Sequence, residues 1–249
     1  MIVCKSPLEL EKMRRAGLVV WELLQELKAR VKPGISTYEL EEFAIERIAE
    51  RGARPAFKGL YDFPCALCTS INEEIVHGIP SKKRILKEGD ILKIDTGVQL
   101  EGYYSDSAVS VPVGTIQPEL DQLLRITEES LHRAIDRVRL GARVGDISAA
   151  VQEHAESHGY SVVRDFVGHG IGTQLHEDPK VPNYGPAGHG PALKEGMVLA
   201  IEPMVNTGKP GAKILKDKWT AVTEDGGYSA HFEHCVVVTS NGPWVLTRP

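Results

Sequence analysis

Two stretches of this chain carry the same pattern, and they constrain its fold more than any other feature. Leu86-Lys-Glu-Gly89 leads into an apolar run ending Ile94-Asp95, and Leu193-Lys-Glu-Gly196 leads into one ending Ile201-Glu202. Position 193 follows 86, and 202 follows 95, by the same 107 residues. Each copy reads as a glycine turn feeding a short buried strand that ends on a carboxylate. A buried carboxylate is costly to desolvate unless a partner offsets it. The offset recurs elsewhere: Val31-Lys-Pro-Gly34 lies over Val138-Arg-Leu-Gly141, Glu46 over Glu153, and Gly52 over Gly159. The pattern implies an internal duplication, about 1–112 and 115–249, within one domain spanning 1–249.

The order of elements agrees with that division. Residues 7–31 form an expected helix with Ser6 and Pro7 at its start, and Tyr38 to about Ala49 a second, stopped by Gly52. Residues 53–80 read as irregular. The opening strand and a hairpin partner from Tyr103 to Val111 follow. Further helices are expected at Glu119–Arg137 and Ile147–His158, then strands at Ser161–Val167, Gly168–Gly172, Val198–Glu202 and Phe232–Thr239. Helix, helix, strands, twice over, predicts an α+β class with outer helices on one shared antiparallel sheet. Tyr38, Phe43 and Ile48 are core positions.

The composition excludes several classes of function. A net charge of −5 leaves no basic footprint for nucleic acid. No apolar run approaches the ~18 residues of a membrane span, and the N-terminus turns charged at Lys5 without a signal-peptide apolar region. Four cysteines are too sparse for a disulfide scaffold, so a reducing cytoplasm is expected. Cys65-Ala-Leu-Cys68 has zinc half-site spacing but no second half, and reads as two packing cysteines. With no heptads, a monomer is expected.

The chemistry lies in the acids and histidines. A hairpin turn centred on Leu100-Glu101 would set Asp95 directly opposite Asp106, where like charges destabilise unless a cation lies between them. The second half supplies Glu202 and, in a β-rich run, Glu233. Laying Asp106 over Glu233 needs about twenty inserted residues, for which the Pro210–Gly227 loop has room. Four carboxylates with an imidazole suit divalent Mn, Co, Fe or Zn, and bridging carboxylates suit a pair of them. His169 stands in Gly168-His-Gly-Ile-Gly172, flanked by glycines that leave its ring unobstructed. His77 and His176 share a local pattern of apolar residue, His, two residues, Pro. By strand alternation His231 shares the face of Glu233 and His234 does not. His132, His154, His158 and His189 read as surface or loop residues.

The segments His77-Gly-Ile-Pro80, Asp95-Thr-Gly97 through Asp106, Gly168–Gly172, His176-Glu-Asp-Pro179, Ile201-Glu-Pro-Met204 and Phe232-Glu-His234 closely resemble type I methionine aminopeptidases, from about Ser6 to Thr239. The resemblance implies the pita-bread α+β fold, two pseudo-symmetric halves around two divalent metal ions. It implies that Asp95 chelates one metal, that His169 and Glu202 ligate the second, and that Asp106 and Glu233 bridge. It places His77 and His176 on the substrate, with Glu202 as the proton carrier. Cys68 and Trp219 match positions lining a methionine pocket, while Phe57, Leu60, Phe63 and Leu175 depart from the family's residues yet remain apolar. The implied activity is removal of the initiator methionine from nascent chains when the next residue is small, with the ribosome a partner consistent with that role. No zinc-binding or basic extension precedes Ser6, and no long insertion separates His176 from Glu202, so the likeness is to the short form. A proline-directed aminopeptidase or dipeptidase of the same fold, and an inactive pita-bread binding module, are the alternatives; all five ligand positions are filled, which disfavours the second.

Overall fold

The computed structural model describes residues 2–249. Helix α1 spans Pro7–Arg30, and Ser6 begins it with a capping box: its backbone N–H and its hydroxyl both donate to Glu9 Oε2, at 2.7 and 2.6 Å. Ser36 and Glu39 repeat the device for α2, Thr37–Glu50. In the second half α3 spans Pro118–Ile135 and α4 Val144–Ser157, α4 starting 107 residues after α2. Each helix pair buries an apolar stripe against strands of its own half, Leu23, Leu27, Leu40 and Ile48 with Leu92 and Ile94 in the first, Leu123, Leu131, Ile147 and Val151 with Leu199 and Val236 in the second.

Among the described residues fifteen strands complete the fold. In the first half these are β1 (Arg54–Pro55), β2 (Leu67–Ile71), β3 (Glu74–Val76), β4 (Ile91–Leu100) and β5 (Tyr103–Pro112). In the second they are β6 (Ser161–Val162), β7 (Gly168–Gly170), β8 (Glu177–Val181), β9 (Val198–Ile201) and β10 (Met204–Asn206). Then follow β11 (Ala212–Ile214), β12 (Ala221–Thr223), β13 (Ser229–His231), β14 (His234–Thr239) and β15 (Gly242–Val245). The expected single sheet is instead four ladders: β1-β4-β2 with β5 on β4, then β13-β10-β6, β11-β12-β3 and β15-β14-β9-β7-β8. The two largest meet where the Glu233 N–H donates to the Ala108 carbonyl at 3.0 Å.

Hydrogen bonds recur at the 107-residue spacing. Leu86 exchanges two with the segment before α2, to Ile35 at 2.9 Å and from Gly34 at 2.8 Å. Leu193 does the same before α4, to Ala142 at 2.7 Å and from Gly141 at 3.1 Å.

The hairpin register differs from the expected one. The β4–β5 turn is the two-residue loop Glu101-Gly102, both with positive φ (51° and 83°), which matches the twist of paired strands. It pairs Leu100 with Tyr103, and hence Gly97 with Asp106 and Asp95 with Ala108. Asp95 and Asp106 are therefore diagonal neighbours on one face, not directly opposed. A Cβ on Gly97 would lie 3.1 Å from that of Asp106, so glycine there gives the carboxylate room.

Other differences have local causes. Residues 53–80 hold three strands whose partners are distant in sequence. Ser161–Val167 is strand only to Val162, Gly168–Gly172 only to Gly170, and the strand β8 was not expected. Phe232 and Glu233 break the expected run between β13 and β14. The Pro210–Gly227 loop folds into the β11–β12 hairpin and docks on β3. His154, expected at the surface, is only 7% exposed, with Nε2 3.0 Å from Glu129 Oε2.

Close backbone packing holds β7 in the middle of its ladder. A Cβ on Gly168 would stand 2.3 Å from the Ala200 carbonyl oxygen. Gly168→Ala is expected to destabilise the protein by roughly 3 kcal/mol, at the upper end of overpacking effects, and denaturant unfolding measures it.

Candidate active site

Three of the proposed ligands lie within strands, Asp95 and Asp106 against the expectation of a strand ending at Asp95, and two lie just beyond a strand or in a break between strands. Asp95 and Asp106 come from β4 and β5, and His169 from the middle of β7. Glu202 follows β9, and Glu233 occupies the break between β13 and β14. His169 Nε2 is 3.6 Å from both Asp106 Oδ2 and Glu202 Oε1. Ligand atoms of Asp106, His169 and Glu233 all lie within 4.8 Å of one another. Asp95 lines the same cavity. The His169 Nδ1–H donates to the Gly170 carbonyl at 2.8 Å, which leaves the Nε2 lone pair free to ligate.

Electrostatics argue that this cluster is built for cations. Burial raises Asp95, Glu202 and Glu233 well above the ordinary carboxylate range, and neighbouring acids raise them further. Burial lifts Asp106 to about 6 against a hydrogen bond from Cys235, whose Sγ is 3.3 Å from Asp106 Oδ1. Asp95 Oδ1 is buried with no hydrogen-bond partner among the described residues. Four acids crowded on one imidazole, with an orphaned oxygen among them, fit divalent metal and are poorly explained by any internal pairing.

Beside the cluster lies a cavity of about 270 Å³. Phe57, Leu60, Phe63, Cys68, Leu175 and Trp219 wall its apolar side, and Asp95, Asp106, His169, Glu202 and Glu233 its polar side. Phe63 and Trp219 meet edge to face at 5.1 Å. His77 and His176 stand at the mouth, shared with an adjoining groove of about 740 Å³ that Phe166, Gln174 and Asp178 also line. His77 takes a left-handed backbone (φ 61°), and burial pushes it down to about 4, so its ring is neutral near pH 7. His176 packs edge-on to His169 at 4.5 Å, and partial burial together with that neighbour lowers its pKa. His231 Nε2 is 3.8 Å from Glu202 Oε2, whereas His234 turns away to Thr247, as alternation predicts.

Sequence reasoning missed several contributors. Cys235 braces Asp106, Phe166 meets the His77 ring at 5.4 Å, and Tyr61 stacks on His176 at 6.5 Å. The Ser107 hydroxyl donates to the Glu233 carbonyl. None carries a motif; the one readable hint is Cys235, two residues beyond Glu233. Cys65 and Cys68 are buried and free, with thiols that burial pushes up, so they pack rather than react.

Buried histidines imply a direction for acid sensitivity. Burial drives His231 down to about 3 and His234 to about 4, from an ordinary 6.5. Above that value both are neutral, folded or unfolded. As pH falls below it the unfolded chain takes up protons that the folded protein refuses, so stability drops until the folded values are reached. Denaturant unfolding of metal-saturated protein between pH 8 and 4 is expected to show this loss, with a shallower slope in His234→Gln.

A profile of metallopeptidase family M24 matches residues 11–240. The chain belongs to metallopeptidase family M24. Among its M24 relatives, methionine aminopeptidase 1 of Bacillus subtilis is 52% identical over 248 residues, covering all of both chains. The methionine aminopeptidase of Clostridium perfringens is 51% identical, covering 99% of each. A crystal structure of methionine aminopeptidase from Thermotoga maritima superposes with a TM-score of 0.99 at 45% identity, covering all of both chains. A prolidase from Pyrococcus furiosus matches at TM-score 0.79 and 24% identity over 66% of its own length, a likeness of fold alone. The architecture is the M24 pita-bread fold, as the resemblance implied.

Proposed function

We propose that this M24 enzyme is a methionine aminopeptidase, hydrolysing the N-terminal methionine from new polypeptides whose second residue is small. The observation that carries this reading is an apolar cavity of about 270 Å³ opening directly on the buried cluster of acids and His169. An unbranched thioether side chain fits such an aromatic-lined cavity, where sulfur–aromatic contacts add to burial. Full-length identity near 50% to relatives named methionine aminopeptidase supports it, and the proline-directed alternative has only a likeness of fold.

Asp95, Asp106, His169, Glu202 and Glu233 would hold two divalent ions, of Mn, Co, Fe or Zn; when bound, these supply Lewis-acid polarisation of the scissile carbonyl and acidify a water. Glu202 takes a proton from the attacking water and returns it to the leaving amine. Uncharged His77 and His176 donate N–H to the carbonyl oxygen as negative charge develops there. Cys68, Phe63 and Trp219 hold the methionine side chain. The same reading makes 1–249 one catalytic domain of two related halves, supported by the recurring hydrogen bonds of Leu86 and Leu193. It makes the enzyme a cytoplasmic monomer that meets its substrates near the ribosome. No described helix is long and apolar enough to cross a membrane, which agrees with that setting.

Purified protein stripped of metal, then supplied with Mn or Co, is expected to release free methionine from Met-Ala-Ser but not from a peptide with a bulky second residue. A chelator should abolish release. Absence of metal-dependent release with every divalent ion tried would sink the reading. Metal should also raise the unfolding temperature, since it binds the folded site and relieves the crowded acids.

A further inference from the structure

The largest fully buried side chain among the described residues is a lysine, Lys93, only 1% exposed. It lies on β4 two residues before Asp95, so both side chains leave the strand on the same face. A buried ammonium is costly unless it is hydrogen-bonded or paired. No carboxylate among the described residues pairs with it; burial pushes its pKa down to about 7, while Glu74, Glu73 and Asp90 raise it from further away and Arg84 lowers it. Its Nζ instead donates to the Asn72 carbonyl at 2.7 Å.

Asn72 is a junction. Its backbone is left-handed (φ 53°), its N–H donates to Ile91 at 3.0 Å, and its Oδ1 accepts the Ile91 N–H at 2.9 Å. The carbonyl that receives Lys93 also accepts the Ser229 N–H at 3.0 Å. Ser229 opens β13, which ends at His231, two residues before Glu233. The cross-strand neighbours of Lys93 are Ser70 on β2 and Ser110 on β5. Ser70 Oγ accepts the N–H of Gly78, next to His77, at 3.1 Å. Ser110 Oγ donates to the His231 carbonyl at 2.7 Å and accepts its N–H at 2.9 Å. The ammonium thus holds the Asn72 carbonyl directly, while its strand neighbours Ser70 and Ser110 tie β2 and β5 to the segments carrying His77 and His231.

We propose that Lys93 is a positioning residue, a tethered internal cation that holds Asn72 and, through it, the strand delivering His231 and Glu233 to the metal centre. It touches no reacting atom; it acts through the Asn72 carbonyl. This inference rests on the metal-dependent hydrolase reading for its catalytic consequence, but not for its structural one.

The test compares wild type, Lys93→Met and Lys93→Ala, each loaded with Mn. In Lys93→Met, kcat for Met-Ala-Ser is expected to fall about 10–100-fold, as when a residue supporting metal ligands is lost, with KM nearly unchanged because the apolar pocket is untouched. In Lys93→Ala, ammonium or methylammonium should restore turnover saturably, and tetramethylammonium at equal ionic strength should not. The same small cations should raise the unfolding temperature of metal-free Lys93→Ala and leave metal-free wild type unmoved. Wild-type kcat and metal content in both variants would overturn the proposal. So would a loss that ammonium reverses in neither turnover nor unfolding temperature. If Lys93→Met fails to fold, the Lys93→Ala arms decide. Failure of the hydrolase reading would show separately, as wild type without metal-dependent methionine release, and the metal-free unfolding arm would still test the tether.

Discussion

Glu233→Gln is expected to lower metal-dependent methionine release by at least about 10³-fold, corresponding to ~4 kcal/mol of lost transition-state charge stabilisation. The substitution keeps shape and volume, removing one negative charge and one strong acceptor. Glu233 sits within 4.8 Å of ligand atoms from both Asp106 and His169, so its loss is felt at the centre of the cluster. Its surroundings also predict an opposite effect on the metal-free protein. Burial and three neighbouring acids raise Glu233 well above the ordinary range, so neutralising it relieves repulsion. Metal-free Glu233→Gln should therefore unfold at a temperature equal to or above that of metal-free wild type, and gain less from added metal. Activity near wild type with full metal content would remove Glu233 from the ligand set.

His77→Asn and His176→Ala are expected to keep their metal and lose about 10²–10⁴-fold in kcat, the range for a positioned proton donor. Asparagine is chosen at position 77 because that backbone is left-handed, a conformation asparagine tolerates better than alanine. Neither imidazole is among the groups whose ligand atoms cluster tightly, and both line the mouth where a scissile carbonyl would enter. His77 is held by Phe166, and His176 lies between Tyr61 and His169, so both rings are oriented before substrate arrives. Elemental analysis beside steady-state kinetics separates the roles: metal loss in either variant would make that histidine a ligand.

The proposed ligand residues stand out in the sequence because each breaks a local rule. Asp95 and Glu202 end apolar runs of sequence, His169 stands between glycines, and Glu233 interrupts a β-rich run. The helices were legible to within a few residues, since Ser6 with Glu9 and Ser36 with Glu39 are local capping signals. The register of the hairpin was not. Moving the turn from Leu100-Glu101 to Glu101-Gly102 changes which residue faces Asp106, and only the positive φ pair, adopted within the paired strands, settles that. The strands at 53–80 were hidden because their partners lie outside that segment, and the docking of the β11–β12 hairpin on β3 because β3 lies far away in the chain.

The amino-acid sequence by itself determined the chemistry: which acids and histidines exist, on which strands, and that two similar stretches deliver them. Those properties follow from short-range pattern and covalent order. The tertiary structure decided what holds them. The Leu86–Asp95 strand, which first stands out for its terminal acid, carries its least expected residue two places earlier. Lys93 reads as one polar position in an alternating strand. Its burial and its reach to Asn72 come only with folding, the reach within the first half, and the link from Asn72 on to Ser229 exists only once the two halves close on each other.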